Sequence, residues 1–266
     1  DSKESTYYAL DKGINFIDTA PSYGNIEMML GHVLRGYSGK TPMISTKIGM
    51  PPPFNPQSRQ AILDSVEKSM SDIGCDVIDL LYIHEPERAG QMRWFHDYNL
   101  SDGPVMEALE EMKQRGWVKW TGVGGTTAHE MAKVIDTGVF DVVQTAFKYS
   151  LLWQEARYEI FPTAKKHDMG IICSAPLQQG SLAVRRDELI ENGAPWISKP
   201  RREQFKALYS FLDEIGMSIV ELSLRFVLSN PDIDCVLVGA KNLKEITETV
   251  AAIGEIAKQA QQMRHS

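Results

Sequence analysis

Seven short runs of apolar and β-branched residues recur along the chain, and each is followed by a segment with helical periodicity. The runs are INFIDTA (14–20), PMISTKI (42–48), VIDLLYIH (77–84), VKWTGVG (118–124), DVVQTAF (141–147), GIICSAP (170–176) and CVLVGA (235–240). Continuous apolar strands that alternate with helices are typical of a parallel sheet covered by helices. No other feature of the sequence limits the possible folds as strongly.

Two architectures satisfy this alternation, a doubly wound open sheet and a (β/α)8 barrel. The repeating unit of about 30 residues runs through the whole length without a linker or a shift in composition, which favours a single barrel domain over residues 1–266. A barrel of this kind has eight strands, whereas seven runs are found, and the opening segment DSKESTYYALDKG has a helical pattern. We therefore expect an α/β fold, a (β/α)8 TIM barrel whose first strand is missing from the chain.

Capping signals mark several of the predicted helices. Ser58 is the predicted N-cap of the helix after the second run, and Gly74 is its predicted C-terminal stop. Thr127 and Glu130 have the spacing of a capping box after the fourth run. These boundaries agree with helices that connect consecutive strands.

Charge and cysteine content narrow the class of protein. The net charge of −7 and the pI near 5.4, with no run of Lys and Arg, argue against nucleic-acid partners and anionic membrane surfaces. Cys75, Cys173 and Cys235 lack CxxC spacing, which predicts reduced thiols packed in the core. No apolar run approaches the roughly 20 residues that span a bilayer, and the first residues lack a signal-peptide pattern, so we expect a cytoplasmic protein.

Polar side chains stand where three neighbouring strands are predicted to end. Asp18 and Tyr23 follow the first run, Lys47 ends the second, and His84 and Glu85 end the third. In a parallel barrel these strand ends meet at one face, which is where catalytic sites lie. The sequence therefore predicts that these groups converge.

Several kinds of chemistry fit this set. Asp18 and Lys47 could form a structural ion pair, and Lys47 could form a Schiff base with a carbonyl substrate. Metal binding by Asp18, His84, Glu85, His96 and Asp97 is disfavoured because their spacing does not resemble a ligand set, so we expect no metal. An ammonium beside a phenol favours the phenolate, so Tyr23 could exchange a proton with a carbonyl oxygen while His84 orients that oxygen.

The order of these motifs resembles the aldo-keto reductase family over the whole chain. GINFIDTAPSYG, followed by a Glu and then LG, is similar to the strand of that family that carries its catalytic Asp and Tyr. ISTKIG and LLYIHEPE are similar to the strands with its Lys and His. By this resemblance Tyr23 is the general acid/base, Asp18 and Lys47 tune it, and His84 orients the carbonyl group.

The resemblance also implies a nicotinamide cofactor, NADP or alternatively NAD, bound at the barrel mouth without a dinucleotide-binding fingerprint. Gln144 in VVQTAF, the segment APLQQGSL (175–182) and the segment VGAKNLKEITET (238–249) match the cofactor-binding parts of the family. The implied cofactor-binding residues are Gln144, Ser174, Pro176, Leu177, Gln178, Gly180, Leu182, Gly239, Lys241, Asn242 and Glu248.

Some positions depart from the usual pattern of that family. Gly124 and Gly125 replace a Ser-Asn pair, which removes side-chain hydrogen bonds to the carboxamide of the cofactor. Glu245 stands where Gln or Arg often helps bind the 2′-phosphate, although it also has capping-box spacing from Asn242. These changes resemble the branch that contains sugar 1-dehydrogenases, which oxidise aldoses to lactones.

The expected activity is therefore an NAD(P)-dependent exchange of hydride between a small carbonyl or sugar substrate and its alcohol or lactone partner. The alternative is a regulatory module of the same fold that senses the cofactor without turnover. Aromatic residues at the expected barrel mouth either line the substrate pocket or pack the loops onto the barrel; these are Trp94, Phe95, Tyr98, Tyr149 and Trp153.

Overall fold

Seven parallel strands form one sheet in the order of the sequence. The computed structural model describes residues 2–49, 54–88, 93–96 and 100–265, and of residues 2 and 255–265 it describes the backbone alone. The strands are β1 (Phe16–Asp18), β2 (Met43–Ile48), β3 (Ile78–His84), β4 (Val118–Gly125), β5 (Val142–Ala146), β6 (Gly170–Ser174) and β7 (Cys235–Leu237). Each predicted apolar run contains one strand, which confirms the predicted β/α order.

The register of the ladders brings the predicted polar residues to the same end of the sheet. Asp18 is paired with Ser45, and Lys47, two residues further along β2, is paired with Tyr82. His84, at the end of β3, is paired with Gly124. β1 and β7 are the two edges of the sheet, and no ladder joins them within the described ranges. A nearly closed barrel with seven strands agrees with the expected lack of a first strand.

Ten α-helices of the described chain lie before, between and after the strands. They are α1 (Ser2–Asp11), α2 (Ile26–Arg35), α3 (Arg59–Ile73), α4 (Pro104–Gln114), α5 (Ala128–Ile135), α6 (Ile160–Lys166), α7 (Asp187–Asn192), α8 (Lys199–Ile215), α9 (Ile219–Leu228) and α10 (Leu243–His265). Short 3-10 turns occur at Pro21–Tyr23, Glu155–Arg157 and Gln178–Gly180. Within this set, none combines the length and apolarity that crossing a bilayer requires.

The helix boundaries show where local signals hold and where a distant residue replaces them. Ser58 caps α3 by accepting a hydrogen bond from the backbone N–H of Ala61, as predicted. Thr127 precedes α5 but makes no side-chain cap. Instead, the carboxylate of Glu87 accepts the backbone N–H of Thr127 at 3.1 Å, and Glu130 pairs with a lysine. The predicted capping box at Thr127 is therefore wrong, because Glu87 in the loop after β3 accepts the backbone N–H of Thr127 in place of Glu130.

The main hydrophobic core lies between the sheet and the surrounding helices. Leu80, Tyr82 and Ile172 form a smaller cluster of their own, flanked by half-buried residues of β1, β5 and β7. All three cysteines are free thiols. Burial raises the pKa of Cys75 to about 11 and that of Cys173 to about 12, so both remain protonated near neutral pH.

Candidate active site

The turn after β1 brings Asp18 and Tyr23 to the same edge of the sheet. Pro21 begins the 3-10 turn, and Gly24 ends it with φ 76°, a conformation that side chains other than glycine disfavour. Tyr23 is therefore presented at the surface, 48% exposed, while Asp18 remains mostly covered.

Asp18 and Lys47 form a buried ion pair at the base of the site. The Lys47 ammonium donates to Asp18 Oδ2 at 2.6 Å and to the Thr19 carbonyl at 2.8 Å, and its side chain is 3% exposed. Ser45 donates to the other carboxylate oxygen of Asp18 at 2.7 Å. A buried ion pair is stable only when its remaining hydrogen-bonding groups are satisfied, and this one is nearly saturated. A lysine held in this way is poorly suited to attack a carbonyl as a free amine.

Two tyrosine rings lie near the Lys47 ammonium, and their surroundings differ. The Tyr23 ring centroid is 5.0 Å from Lys47 Nζ, and that of Tyr82 is 5.8 Å away. The Tyr82 hydroxyl is buried and has no hydrogen-bond partner among the described residues. Desolvation and the charge of Asp18 raise the pKa of Tyr82 well above its usual value. Of the two phenols, Tyr23 is the one positioned for proton exchange with a ligand.

His84 faces the same space from the end of β3. Its ring lies edge-on to that of Tyr23, with centroids 6.0 Å apart, and its Nδ1 is 3.4 Å from Ser22 Oγ. Burial, followed by the positive charge of Lys47, lowers the pKa of His84. The imidazole is therefore neutral near pH 7. If Ser22 donates to Nδ1, the hydrogen lies on Nε2 and can be donated to a ligand.

These groups line a cavity of about 820 Å³ at the C-terminal ends of the strands. Its functional side chains from the first half of the barrel are Asp18, Tyr23, Lys47, His84 and Glu85, with Thr126 beside them. The facing half contributes Gln144, Phe147, Ser174, Gln179 and Gly239. The cavity extends between β1 and β7 over apolar residues such as Leu10, Phe16, Val33 and Leu237. Both its volume and its mixture of polar and apolar groups suit a small-molecule site.

Three of the predicted cofactor residues, Gln144, Ser174 and Gly239, line this cavity. The other predicted residues do not line it; these are Pro176, Leu177, Gln178, Gly180, Leu182, Lys241, Asn242 and Glu248. Leu182 is fully buried in a hydrophobic cluster with residues of α7 to α9.

The turn after β6 explains why Gln178 is turned away from the cavity. Its amide donates to the Phe147 carbonyl and to Ser150 Oγ, each at 2.9 Å. Gln178 and Gln179 both have φ near 50°, and Gln179 is the one that lines the cavity. Adjacent glutamines in QQG carry no local signal that distinguishes them, so the sequence missed Gln179.

The segment before α10 is organised by its own backbone. Glu245 accepts the backbone N–H of Lys241 at 2.8 Å, and Asn242 accepts the backbone N–H of Glu245 at 3.0 Å. The bond to Asn242 is the one expected from the capping-box spacing, whereas the return bond from Glu245 goes to the residue before the N-cap and not to the N-cap itself. Glu248 is exposed and lies 3.9 Å from Lys244. The helix begins four residues after Gly239, and Gly239 lines the cavity together with Ile246 and Thr249 of the helix itself.

The two glycines that end β4 make room for neighbouring polar side chains. A Cβ at Gly124 would lie 2.9 Å from Gln144 Oε1, and one at Gly125 would lie 2.5 Å from both carboxylate oxygens of Glu87. Glu87 accepts the backbone N–H groups of Thr126 and Thr127. The Gly-Gly pair therefore permits a turn held by Glu87, a residue that the sequence analysis missed because it lies nearly 40 residues away.

The aromatic loop residues that the structure describes pack inward. Trp94, Phe95 and Tyr149 are buried in the main core, whereas Trp153 packs against Phe205. None of these four predicted residues, Trp94, Phe95, Tyr149 and Trp153, lines the cavity. Met50 to Pro53, Asp97 and Tyr98 lie outside the described residues, and His96 Nδ1 is 3.8 Å from an oxygen of Asp102. These aromatic residues therefore pack the loops onto the barrel and do not line the substrate pocket.

Comparison with known proteins adds the family. Residues 1–265 match the Aldo/keto reductase family. The chain is 30% identical over 214 residues, 70% of its length, to a D-threo-aldose 1-dehydrogenase from Pseudomonas sp, of which the match spans 63%. It is 28% identical to an L-galactose dehydrogenase from Arabidopsis thaliana, covering 92% of this chain and 75% of that protein.

A solved structure supports the barrel fold independently of the sequence motifs. The holo form of an aldo-keto reductase from Bacillus halodurans superposes with a TM-score of 0.72 at 23% identity, covering 95% of this chain and 80% of that one. Together with the match over residues 1–265 and the strand order described above, this leads to one conclusion. The chain belongs to the aldo-keto reductase family.

Proposed function

We propose that this protein is an NAD(P)-dependent oxidoreductase that interconverts a small carbonyl compound or aldose with its alcohol or lactone partner, using Tyr23 as general acid/base. The observation that carries the proposal is the nearly saturated Asp18–Lys47 ion pair, which lies in one cavity with Tyr23 and a neutral His84. Family membership supports oxidoreductase chemistry on carbonyl substrates.

Lys47 acts in this proposal through its charge rather than through its amine. Asp18 and the Thr19 carbonyl hold the ammonium in place, 5.0 Å from the centre of the Tyr23 ring. From there its positive charge stabilises the negative charge that develops in the transition state. Tyr23 gives the proton to the carbonyl oxygen in reduction and takes it back in oxidation.

His84 orients the reacting oxygen. The neutral ring has one N–H, which can donate a hydrogen bond to the carbonyl oxygen. Because the ring is neutral, it does not replace Tyr23 as the acid that transfers the proton. The T-shaped arrangement of His84 and Tyr23 places both groups on the same side of the cavity. Two hydrogen bonds then converge where negative charge develops.

The residues that line the facing half fit a nicotinamide cofactor. The buried Gln144 amide offers both a donor and an acceptor for a carboxamide, and the glycines of β4 leave space beside it. The positive end of α10, near Gly239, suits a phosphate. When bound, the nicotinamide supplies or accepts the hydride that complements the proton moved by Tyr23.

We propose NADP as the preferred cofactor and NAD as the alternative. Lys241 and Asn242 lie at the start of α10, where the family resemblance places the adenosine phosphate. The negative charge of Glu245 disfavours the 2′-phosphate that distinguishes NADP from NAD. Its carboxylate already accepts a hydrogen bond from the Lys241 backbone N–H. Two of the relatives are named as dehydrogenases of aldoses, and these names support aldoses as one substrate class.

The test is a fluorescence titration of the purified protein with NADPH and NADH, followed by absorbance assays with aldehydes and free aldoses. We expect binding of at least one cofactor and measurable turnover. Binding without turnover would support the regulatory alternative, and no binding would contradict both. Borohydride treatment in the presence of substrate is expected to leave Lys47 unmodified. A trapped adduct on Lys47 would instead support Schiff-base chemistry.

A further inference from the structure

Glu85 stands beside the proposed reacting centre in a conformation that glutamate seldom adopts. It directly follows His84, and its φ is 51°. Its backbone N–H donates to the Gly124 carbonyl at 2.7 Å, which continues the β3–β4 pairing through this residue. A left-handed conformation at a non-glycine residue persists only when its surroundings impose it, and such residues concentrate at functional sites.

The Glu85 side chain lines the same cavity as His84 and is about one quarter exposed. Its Oε1 accepts a hydrogen bond from Thr126 Oγ1 at 3.2 Å and lies 3.4 Å from an Arg88 nitrogen. No hydrogen bond from the described residues reaches Oε2. One carboxylate oxygen is therefore fixed by neighbouring groups while the other can accept a hydrogen bond from a ligand.

The charges around the cavity do not cancel. Its charged lining residues, within the described chain, are Asp18, Lys47 and Glu85. The first two neutralise each other at 2.6 Å, and burial and Lys47 lower the pKa of His84 so that its ring is neutral. Arg88 offsets Glu85 only in part, because it is 42% exposed and also donates to Thr126 Oγ1. Glu87, a second acidic side chain near Glu85, supplies no positive charge, and burial raises its pKa.

Building on the proposed function, we propose that Glu85 is a specificity-determining residue that selects neutral, polyhydroxylated carbonyl substrates over anionic ones. A carboxylate inside a partly enclosed cavity accepts hydrogen bonds from sugar hydroxyl groups. The same carboxylate repels a substrate carboxylate or phosphate more strongly than it would in bulk water. Discrimination therefore comes from attraction to one class and repulsion of the other.

The experiment compares wild type with Glu85→Gln on substrates matched in skeleton and differing in charge. The pairs are galactose with galacturonate in the oxidative direction and butanal with 4-oxobutanoate in the reductive direction. Glutamine keeps the size of the side chain and an acceptor for Thr126, so the turn should be retained. Exposed Glu214 on α8, which does not line the cavity, provides the matched control variant Glu214→Gln.

We expect the ratio of kcat/KM for the neutral substrate to that for the anionic substrate to fall about tenfold in Glu85→Gln, mainly through KM. The wild-type ratio should also shrink as salt rises from about 0.01 M to about 1 M, and this dependence should weaken in the variant. Cofactor affinity and the Glu214→Gln variant should match wild type. A merely structural role for Glu85 would lower both rates equally and leave the ratio and its salt dependence unchanged.

Two negative outcomes are distinguishable. If wild type turns over the neutral substrates but the ratio is the same in Glu85→Gln, the role of Glu85 is refuted and the proposed oxidoreductase function stands. If wild type turns over no member of either pair, the proposed function fails and the role of Glu85 fails with it.

Discussion

The two halves of the barrel mouth are built differently. In the half formed by β1 to β3, Asp18 and Lys47 are 2.6 Å apart, Ser45 holds the second oxygen of Asp18, and the Thr19 carbonyl holds the ammonium. In the half formed by β5 to β7 and α10, the hydroxyl groups that line the cavity bond to backbone: Ser174 donates to the Thr145 carbonyl of the neighbouring strand, and Thr249 donates to the Glu245 carbonyl of its own helix. The first half is connected internally, whereas the second surrounds an open space.

This difference suits two separate tasks, proton transfer in the first half and cofactor binding in the second. Proton transfer needs groups held in fixed positions by one another, because its rate depends on small changes in geometry and charge. A large cofactor supplies many contacts itself, so its half of the site needs shape and a few donors rather than internal bonding. We expect variants of the first half to affect rate and stability strongly, and variants of the second to affect cofactor affinity.

The sharpest test of this division is Tyr23→Phe. Removing the hydroxyl removes the proposed proton carrier, so turnover should fall roughly 100- to 10,000-fold. Cofactor affinity should stay close to that of wild type, because the change lies in the acid–base half. Steady-state kinetics and a fluorescence titration on the same preparation measure both.

Tyr82→Phe is the matched control for that substitution. Its ring also lies near Lys47, but its hydroxyl is buried without a partner, does not line the cavity, and has a raised pKa. We expect activity within about twofold of wild type and unchanged or slightly higher stability, since a buried unsatisfied hydroxyl is removed. Activity lost in Tyr82→Phe and kept in Tyr23→Phe would reverse the assignment.

The second largest effect is expected on stability at the ion pair. Asp18→Asn or Lys47→Met leaves one buried charge without its partner, which should lower the free energy of unfolding by about 3–5 kcal/mol. The double variant should recover part of that loss while remaining inactive. Denaturant unfolding of the three variants gives the coupling energy. Additive losses would show that the two charges are not a unit.

The acid–base half could be anticipated from the sequence because its signals are local. A strand ending in Asp, followed by Pro, Ser, Tyr and Gly, specifies both the strand end and the turn, and strand ends of a parallel barrel meet at one face. The contacts of the cofactor half were harder to predict from the sequence because they join residues that lie far apart in the chain. The consecutive positive φ values at Gln178 and Gln179 decide which glutamine lines the cavity, and Glu87 caps a turn 39 residues away.

Gly125→Ala tests that non-local turn. The new Cβ would lie 2.5 Å from the Glu87 carboxylate and would contact Met131 Sδ. We expect a loss of about 1–3 kcal/mol in the free energy of unfolding, with a weaker cofactor affinity as the turn beside Gln144 shifts. Gly254→Ala, on α10 with no atom near the added group, is the control and should be neutral or stabilising. Equal effects of the two substitutions would contradict the packing argument.

Glu245→Gln is expected to have a smaller effect, confined to the cofactor half. Glutamine retains the capping-box role, while removal of the negative charge should tighten NADPH binding by roughly three- to tenfold. NADH lacks the additional phosphate, so its affinity should be unchanged and serves as the internal control. Equal changes for both cofactors would show that Glu245 acts on the helix and does not face the phosphate.

The smallest effect is the pH dependence contributed by His84. Its pKa in the folded protein is lowered, first by burial and then by Lys47, whereas in the unfolded chain it titrates near about 6.5. As the pH falls below about 6.5, the unfolded state binds a proton that the folded state does not, so stability decreases in that window and is restored above it.

His84→Asn removes this proton linkage. The difference in unfolding free energy between wild type and variant should therefore change in favour of the variant as the pH falls from about 7.5 to about 5.5. The other histidines are present in both proteins, so their contributions cancel in this difference. A difference that does not vary with pH would mean that the pKa of His84 is the same in both states, and would contradict the lowering of that pKa by burial and Lys47.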